Sequence, residues 1–322
     1  MTNDSDQAIR VYVDPWDPGY GTALTRDMAE GMPESSARVN VNLELKPDDW
    51  APLNPPPGTQ APERLYIVDG VRRIDASVWY QAEDLTAPAL GLAASWAAGV
   101  VRLDGAAEVV SAQVRRAIFS GYPQAVPLRT SAGDYPVRVA ADASLEGLTH
   151  ALQESLLATE LETSAAARGD DPQALLLVDG PLLGRAHLAN AVGYIKTHQA
   201  SYLPPELNRV VGSLAPGQRT PAFTIGTSYS RHTWYLRLPG GTATPWSGVI
   251  RCECSDTLTS AAVTQLADTT ATLLPILASE RHKDPRAPQN LTPIGGLERQ
   301  LRHDLGDPRL LHRALVHATS RL

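Results

Sequence analysis

Cysteine is nearly absent. The 322-residue chain has two, Cys252 and Cys254, both in the run RCEC. Positions i and i+2 of a strand share a face, which is poor disulfide geometry, and the count argues against a secreted disulfide scaffold. No Cys/His spacing of the zinc type occurs. There is no GxxxxGK[ST] phosphate loop and no GxSxG elbow, which argues against ATP hydrolysis by the chain itself. Repeats and low-complexity tracts are also missing. The N-terminus, MTNDSDQAIR, has no basic region and no apolar run, so it does not read as a signal peptide. The longest weakly polar run, residues 87–101, contains Pro88, Gly91, Ser95 and Gly99 and is too short and interrupted to span a membrane. A soluble, cytoplasmic protein without a membrane partner is expected. Positive charge is in deficit: the net charge is −7 and the pI about 5.6. Any nucleic-acid partner must therefore be gripped by a local basic patch, against the field of the whole molecule.

The chain is nevertheless 43% hydrophobic, with 26 prolines and 24 glycines. That describes a globular, turn-rich protein of one large or two ordinary domains. Its organising stretch is ALLLVDGPLLG, residues 174–184. Leu175 to Val178 read as a buried strand ending in Asp179, after which Gly180 and Pro181 break it, with Pro181 suited to the first turn of a helix. LYIVDG, residues 65–70, has the same form, with Asp69 at its tip. Two core strands that each deliver an aspartate point to a shared carboxylate site, because buried charge needs a partner and a hard divalent cation is one. Asp-Gly is also a hairpin signal. RLDGAAEVV (102–110) reads as a hairpin, Asp69 allows either reading, and at Asp179 the hairpin is disfavoured by Pro181.

In chain order, residues 1–60 form an arm: a short strand IRVYV, the turn-forming DPWDPGYG with Trp16 and Tyr20 as anchors, an alternating strand VNVNLEL (39–45), and a proline-rich linker (53–62). Residues 64–122 read as an antiparallel meander. Residues 144–168 form the clearest helix, with Ser144 as N-cap and Gly169 as stop. Leu145, Leu148, Leu152 and Leu156 make its apolar stripe, widened by Leu157 and Leu161. Glu160 falls near the centre of that arc and Glu162 nearly opposite. A carboxylate on an apolar face is either a ligand or is neutralised, by an arginine or by fraying of the helix end. A helix is expected within 184–206. Strands follow at 220–226, 232–238 and 247–254, then a helix over 256–280 and two short amphipathic helices around the GDP break at 306–308.

Asp69, Glu160 and Asp179 are hard oxygen donors, the inventory of a Mg²⁺ or Mn²⁺ site suited to phosphodiester hydrolysis. Arg72, Arg73, Lys196, Arg231 and Arg251 are the cations placed to meet a phosphate backbone. His198, His232 and His317 are the candidate proton shuttles. The order of elements fits an α/β, ribonuclease-H-like core: a mixed central sheet flanked by helices, with an N-terminal arm (1–60) and a helical C-terminal extension.

The DG at 69–70, the glutamate-bearing helix, LLLVDGPLLG, GYIKTHQASYLPPE, HTWYLRL and PWSGVIRCEC, in that order, resemble the NurA nucleases from about residue 64 to the end. VDPWDPGYG is similar to bacterial members. The resemblance implies a nuclease domain over 61–322 in which Asp69 and Asp179 bind catalytic manganese or magnesium. Glu160 matches the helix glutamate best, with Glu162 as the alternative, and Lys196 matches a lysine that contacts phosphate. A C-terminal histidine is also implied, matching His317 or else His312. The implied fold is ribonuclease-H-like and dimeric. The implied activity is 5′ to 3′ exonuclease and single-strand endonuclease cleavage of DNA in end resection and repair, beside the HerA hexameric ATPase. Two readings compete with it: a non-catalytic docking subunit that guides DNA for the translocase, and a metal phosphoesterase acting on small nucleotides.

Overall fold

The computed structural model describes residues 10–13 and 37–320, apart from residues 170, 172, 186, 199–200, 228, 242–245, 281 and 285. Trp16 and Tyr20 lie outside the described residues. Three long strands dominate one half: β3 (Leu65–Gln81), β4 (Ala89–Asp104) and β5 (Ala106–Ser120). They form the expected meander, with the β4–β5 hairpin turning at Gly105, where φ is +72°. LYIVDGVRRIDA is therefore continuous strand, and Asp69 is not in a turn. The weakly polar run of β4 is buried almost without interruption from Gly91 to Val101, because helices cover both faces of the sheet and no polar alternation is needed.

The other half adds β9 (Leu175–Asp179), β10 (Ala191–Ile195), β11 (Phe223–Gly226), β12 (Ser230–Arg237) and β13 (Val249–Ser255). Together with β1 (Arg10–Val13), β2 (Arg38–Asn40) and β8 (Val137–Val139) they make one mixed, eleven-stranded sheet. Its order is β2-β11-β12-β13-β10-β9-β3-β4-β5-β8, with β1 pairing on β3. The expected strand over 39–45 is only β2, and the described parts of the arm line sheet edges. A small hairpin, β6 (Leu128–Thr130) with β7 (Gly133–Tyr135), stands apart.

Five helices flank the sheet: α1 (Leu145–Arg168), α2 (Pro205–Ser213), α3 (Ser260–Leu277), α4 (Thr292–Asp304) and α5 (Pro308–Thr319). The ends of α1 follow the sequence. Ser144 Oγ accepts from the Gly147 amide, and Gly169 closes the helix at φ +55°. Leu148, Leu152 and Leu156 are buried beneath it, while Leu145 is exposed. The helix expected within 184–206 is replaced by a turn and β10. AVGYI is β-branched and aromatic around a glycine, and it pairs in parallel with β9. No described helix is long and apolar enough to cross a membrane.

Candidate metal centre

β9 runs parallel to β3 and pairs with it only from Leu65↔Leu175 to Val68↔Val178. Beyond that register β9 ends while β3 continues, and β1 pairs with β3 only at Val78–Gln81. Among the described residues, β3 from Asp69 to Ser77 has no strand neighbour on that side, so the sheet carries a notch. Asp69 and Asp179, each one residue past the last pair, stand together at its mouth.

Alternation fixes which face they use. Asp69 pairs with Gly99 of β4, and a Cβ at Gly99 would sit 2.8 Å from Leu297 and 3.0 Å from Leu301 of α4. Asp69 therefore faces α4, and α4 supplies a third carboxylate. Ligand atoms of Asp69, Asp179 and Glu298 all lie within 4.8 Å of one another. Gly70 faces the other way, and a Cβ there would collide with the Glu160 carboxylate and Leu156 of α1. Glu160 thus approaches the notch from the opposite face. It is buried and ion-paired with Arg185, which is 1% exposed. Glu162 faces solvent and pairs with Arg115 at 2.6 Å.

The triad is held by a relay of polar contacts. Lys196, just past β10, donates to Asp179 Oδ2 at 2.6 Å and to Asn290 Oδ1 at 3.0 Å. Asn290 donates to Asp284 at 2.6 Å, and Arg286 bridges Asp284 to both oxygens of Glu298, at 2.9 and 2.5 Å. The relay starts at one acid of the cluster and ends at another. Burial pushes the Asp69 carboxyl well above its usual range, and the neighbouring Asp179 charge adds to this. Burial also raises Asp179, against the pull of Lys196. Burial works on Glu298 in the same sense, but the Arg286 hydrogen bonds and charge outweigh it and hold that carboxyl below its usual range.

The residues fit a hard divalent cation. Three carboxylates converge, and Asp69 Oδ2 is buried with no hydrogen-bond partner. A carboxylate oxygen left in that state costs about 1–3 kcal/mol, a cost that a cation would remove.

The other sequence candidates are placed elsewhere or are already engaged. Arg72 is exposed beside the notch. Arg73 binds Asp75 at 2.8 Å and the Gly306 carbonyl at 2.9 Å. Arg231 and Arg251 both clamp Glu253, at 3.0 and 2.9 Å, and Glu253 is fully buried. These three arginines serve the fold. His198 packs between Tyr235 and Trp246 with its Nε2 at the Val249 carbonyl, and burial lowers its pKa. His232 Nδ1 meets Thr224 Oγ1 at 2.9 Å, and burial lowers it too. His312 Nδ1 meets the Asp75 carbonyl at 3.1 Å. His317 lines a separate cavity on α5. None of these histidines joins the carboxylate cluster.

Glu298 was missed by the reading of the sequence, though a weaker signal was available. In α4, Ile294, Leu297 and Leu301, continued by Leu305 at the C-cap, form the apolar stripe, and Glu298 lies at its edge, at i+4 from Ile294. It borders an apolar stripe, whereas Glu160 on α1 stands near the centre of one. Cys252 and Cys254 are free and buried, as their shared strand face requires.

A family model described as the NurA domain matches residues 74–294, well over half of the chain. It begins just after Asp69 and ends just before Glu298. Among curated proteins, no significant match is found.

Proposed function

The chain belongs to the NurA family, a family of nucleases, and we propose that it is a metal-dependent DNA nuclease whose cleavage site is the Asp69–Asp179–Glu298 cluster. The observation that carries this reading is the buried, unpartnered Asp69 Oδ2 within a set of three converging carboxylates. Asp69 and Asp179 would hold Mn²⁺ or Mg²⁺ from the sheet, and Glu298 from α4. When bound, such a cation supplies Lewis-acid stabilisation of charge on the phosphoryl group and acidifies water. Lys196 holds Asp179 in place and sets a positive charge beside it for a phosphate oxygen. Arg72 offers an exposed cation at the rim of the notch. Glu160 neutralises Arg185 on the far face, which anchors the turn that follows Asp179. The family resemblance further supports 5′ to 3′ exonuclease and single-strand endonuclease cleavage in DNA end resection, a homodimer, and work beside a HerA-type hexameric ATPase.

The test is cleavage of end-labelled single-stranded DNA with Mn²⁺, Mg²⁺ or EDTA, by the wild-type protein and by Asp179→Asn verified as folded. Metal-dependent cutting that disappears in the variant is expected. Cutting that persists in EDTA or in folded Asp179→Asn would overturn the assignment. If the wild type is silent alone and also with the ATPase and ATP, the chain is a docking subunit.

A further inference from the structure

Helix α5 carries Arg309, Arg313 and His317 at i, i+4 and i+8. Residues so spaced stack on one face, about 6 Å apart along the axis. All three are exposed. The helix itself, PRLLHRALVHAT, contains no acid. Its N-cap Asp307 accepts from the Arg309 and Leu310 amides, not from the Arg309 guanidinium. Beside this column a cavity of about 850 Å³ opens between α5 and the β6–β7 hairpin. Arg129, Thr130, Ser131, Arg313 and His317 line it, and its lining includes no carboxylate. Asp134 lies opposite Arg129 in the hairpin without an ion pair to it. Among the described residues none of the four basic side chains has an ion-pair partner. Arg73, Arg185, Arg219, Arg231, Arg251 and Arg286 bind carboxylates, whereas the α5 column, like Arg72, is left to solvent.

Two independent features single this surface out. A like-charged pair at i, i+4, such as Arg309–Arg313, destabilises a helix, and a cation in the first turn opposes the helix dipole. The chain as a whole is acidic, at −7, yet α5 carries no acid beyond its N-cap Asp307, which forms no ion pair with the column and leaves the repulsion between Arg309 and Arg313 in place. An anionic ligand would relieve it.

We propose that the α5 column and the Arg129 cavity bind the phosphodiester backbone of a single-stranded nucleic acid, at a site separate from the carboxylate cluster. That the strand is DNA rests on the nuclease reading above. A linear row of cations suits a chain of evenly spaced phosphates, and the hydroxyls of Thr130 and Ser131 can donate to phosphate oxygens. Leu315 of α5 packs against Ala76, Val78 and Tyr80 of β3. At about 3.3 Å per residue these lie roughly 20–35 Å along the strand from Asp69. A strand held at both places must therefore be several nucleotides long.

The experiment measures anisotropy of fluorescein-labelled (dT)20 and (dT)3 in EDTA, with the full chain as wild type, Arg313→Glu, Arg129→Gln and a surface control, Lys46→Gln. Arg313→Glu puts an acid between Arg309 and His317, so the thermal midpoint should hold or rise while binding falls. The expected result is (dT)20 affinity about 5- to 10-fold weaker in Arg313→Glu and Arg129→Gln. The salt dependence of log K should drop by roughly 0.7 per lost contact. (dT)3 binding and the control should be unchanged. Wild-type affinity in both variants, or no (dT)20 binding by the wild type, would overturn the proposal. So would displacement of (dT)20 by inorganic phosphate at equal phosphate concentration, which marks a free-anion site, or by polyglutamate at equal charge, which marks a protein-binding surface. All these readouts are taken without metal, so they stand or fall apart from cleavage at Asp179.

Discussion

Asp69 and Glu160 are both buried carboxylates near the end of β9, but their surroundings set them apart. Glu160 is neutralised by Arg185, whereas Asp69 keeps an oxygen with no partner. The two glutamates that flank the notch should therefore respond differently to substitution. Glu298→Gln should abolish both DNA cleavage and any rise in thermal midpoint on adding Mn²⁺. Glu160→Ala should keep the metal-induced rise but lose about 3 kcal/mol of stability, because it leaves the buried Arg185 charge unpaired. Denaturant unfolding with and without Mn²⁺ separates the two. If Glu160→Ala removes the metal response and Glu298→Gln does not, the ligand assignment is reversed. Asp69 and Asp179 stood out in the sequence because each follows a short apolar run and precedes a glycine, although β3 continues past Asp69; Lys196 stood out only by its charge and the family resemblance. Glu298 was less legible, since helical spacing puts it at the edge of the stripe Ile294–Leu297–Leu301 and not within it. The choice between Arg185 as neutraliser and a metal as partner for Glu160 was not legible, because it depends on how a turn 25 residues away folds back onto α1.

At the scale of elements, the turn after β9 decides where Asp179 points. Glu253 of β13 accepts from the Leu182 amide at 2.7 Å and from Tyr229 Oη at 3.1 Å, while clamping Arg231 and Arg251. It reaches the turn because Gly193, its partner in the register of β10 and β13, has no side chain. A Cβ on Gly193 would sit 2.8 Å from the Gly180 carbonyl and 2.9 Å from Glu253 Cγ. The carbonyl is backbone and cannot swing aside. Gly193→Ala should cost about 1–3 kcal/mol by overpacking and lower cleavage by displacing the turn. Glu253→Ala should cost about 3–5 kcal/mol, since two buried arginines lose their carboxylate. Chemical denaturation reads both, and wild-type stability in either would refute the clamp. The expected helix within 184–206 gives way to β10 here, and Gly193 itself disfavours a helix. GYIKTH shows no clear period of its own, and only pairing with β9 and β13 makes it a strand. By contrast α1, the meander and the final helix pair were readable, because caps, Asp-Gly turns and the GDP break are local chemistry.

Across the whole molecule, the carboxylate cluster joins parts of the chain that are far apart in sequence: Asp69 from the first long strand, Asp179 from the middle of the sheet and Glu298 from the C-terminal helices. Without a cation these parts meet through the relay from Lys196 to Arg286, while two raised carboxyls oppose their approach. A cation that binds only the folded chain stabilises it by mass action, about 2.7 kcal/mol when its concentration is 100 times its dissociation constant. For a chain of this size that corresponds to a rise in thermal midpoint of roughly 4 °C. The effect should be concentrated where the halves meet. Hydrogen exchange with Mn²⁺ should slow in α4, in the loop from Asp284 to Asn290 and at the end of β9. It should be unchanged in the β11–β12 pair, whose contacts do not reach the cluster. Asp69→Asn should abolish both the thermal rise and the local protection while leaving the metal-free protein folded, since it removes a ligand and also the like-charge repulsion with Asp179. A metal response that survives in Asp69→Asn, or protection spread evenly over the sheet, would place the cation elsewhere.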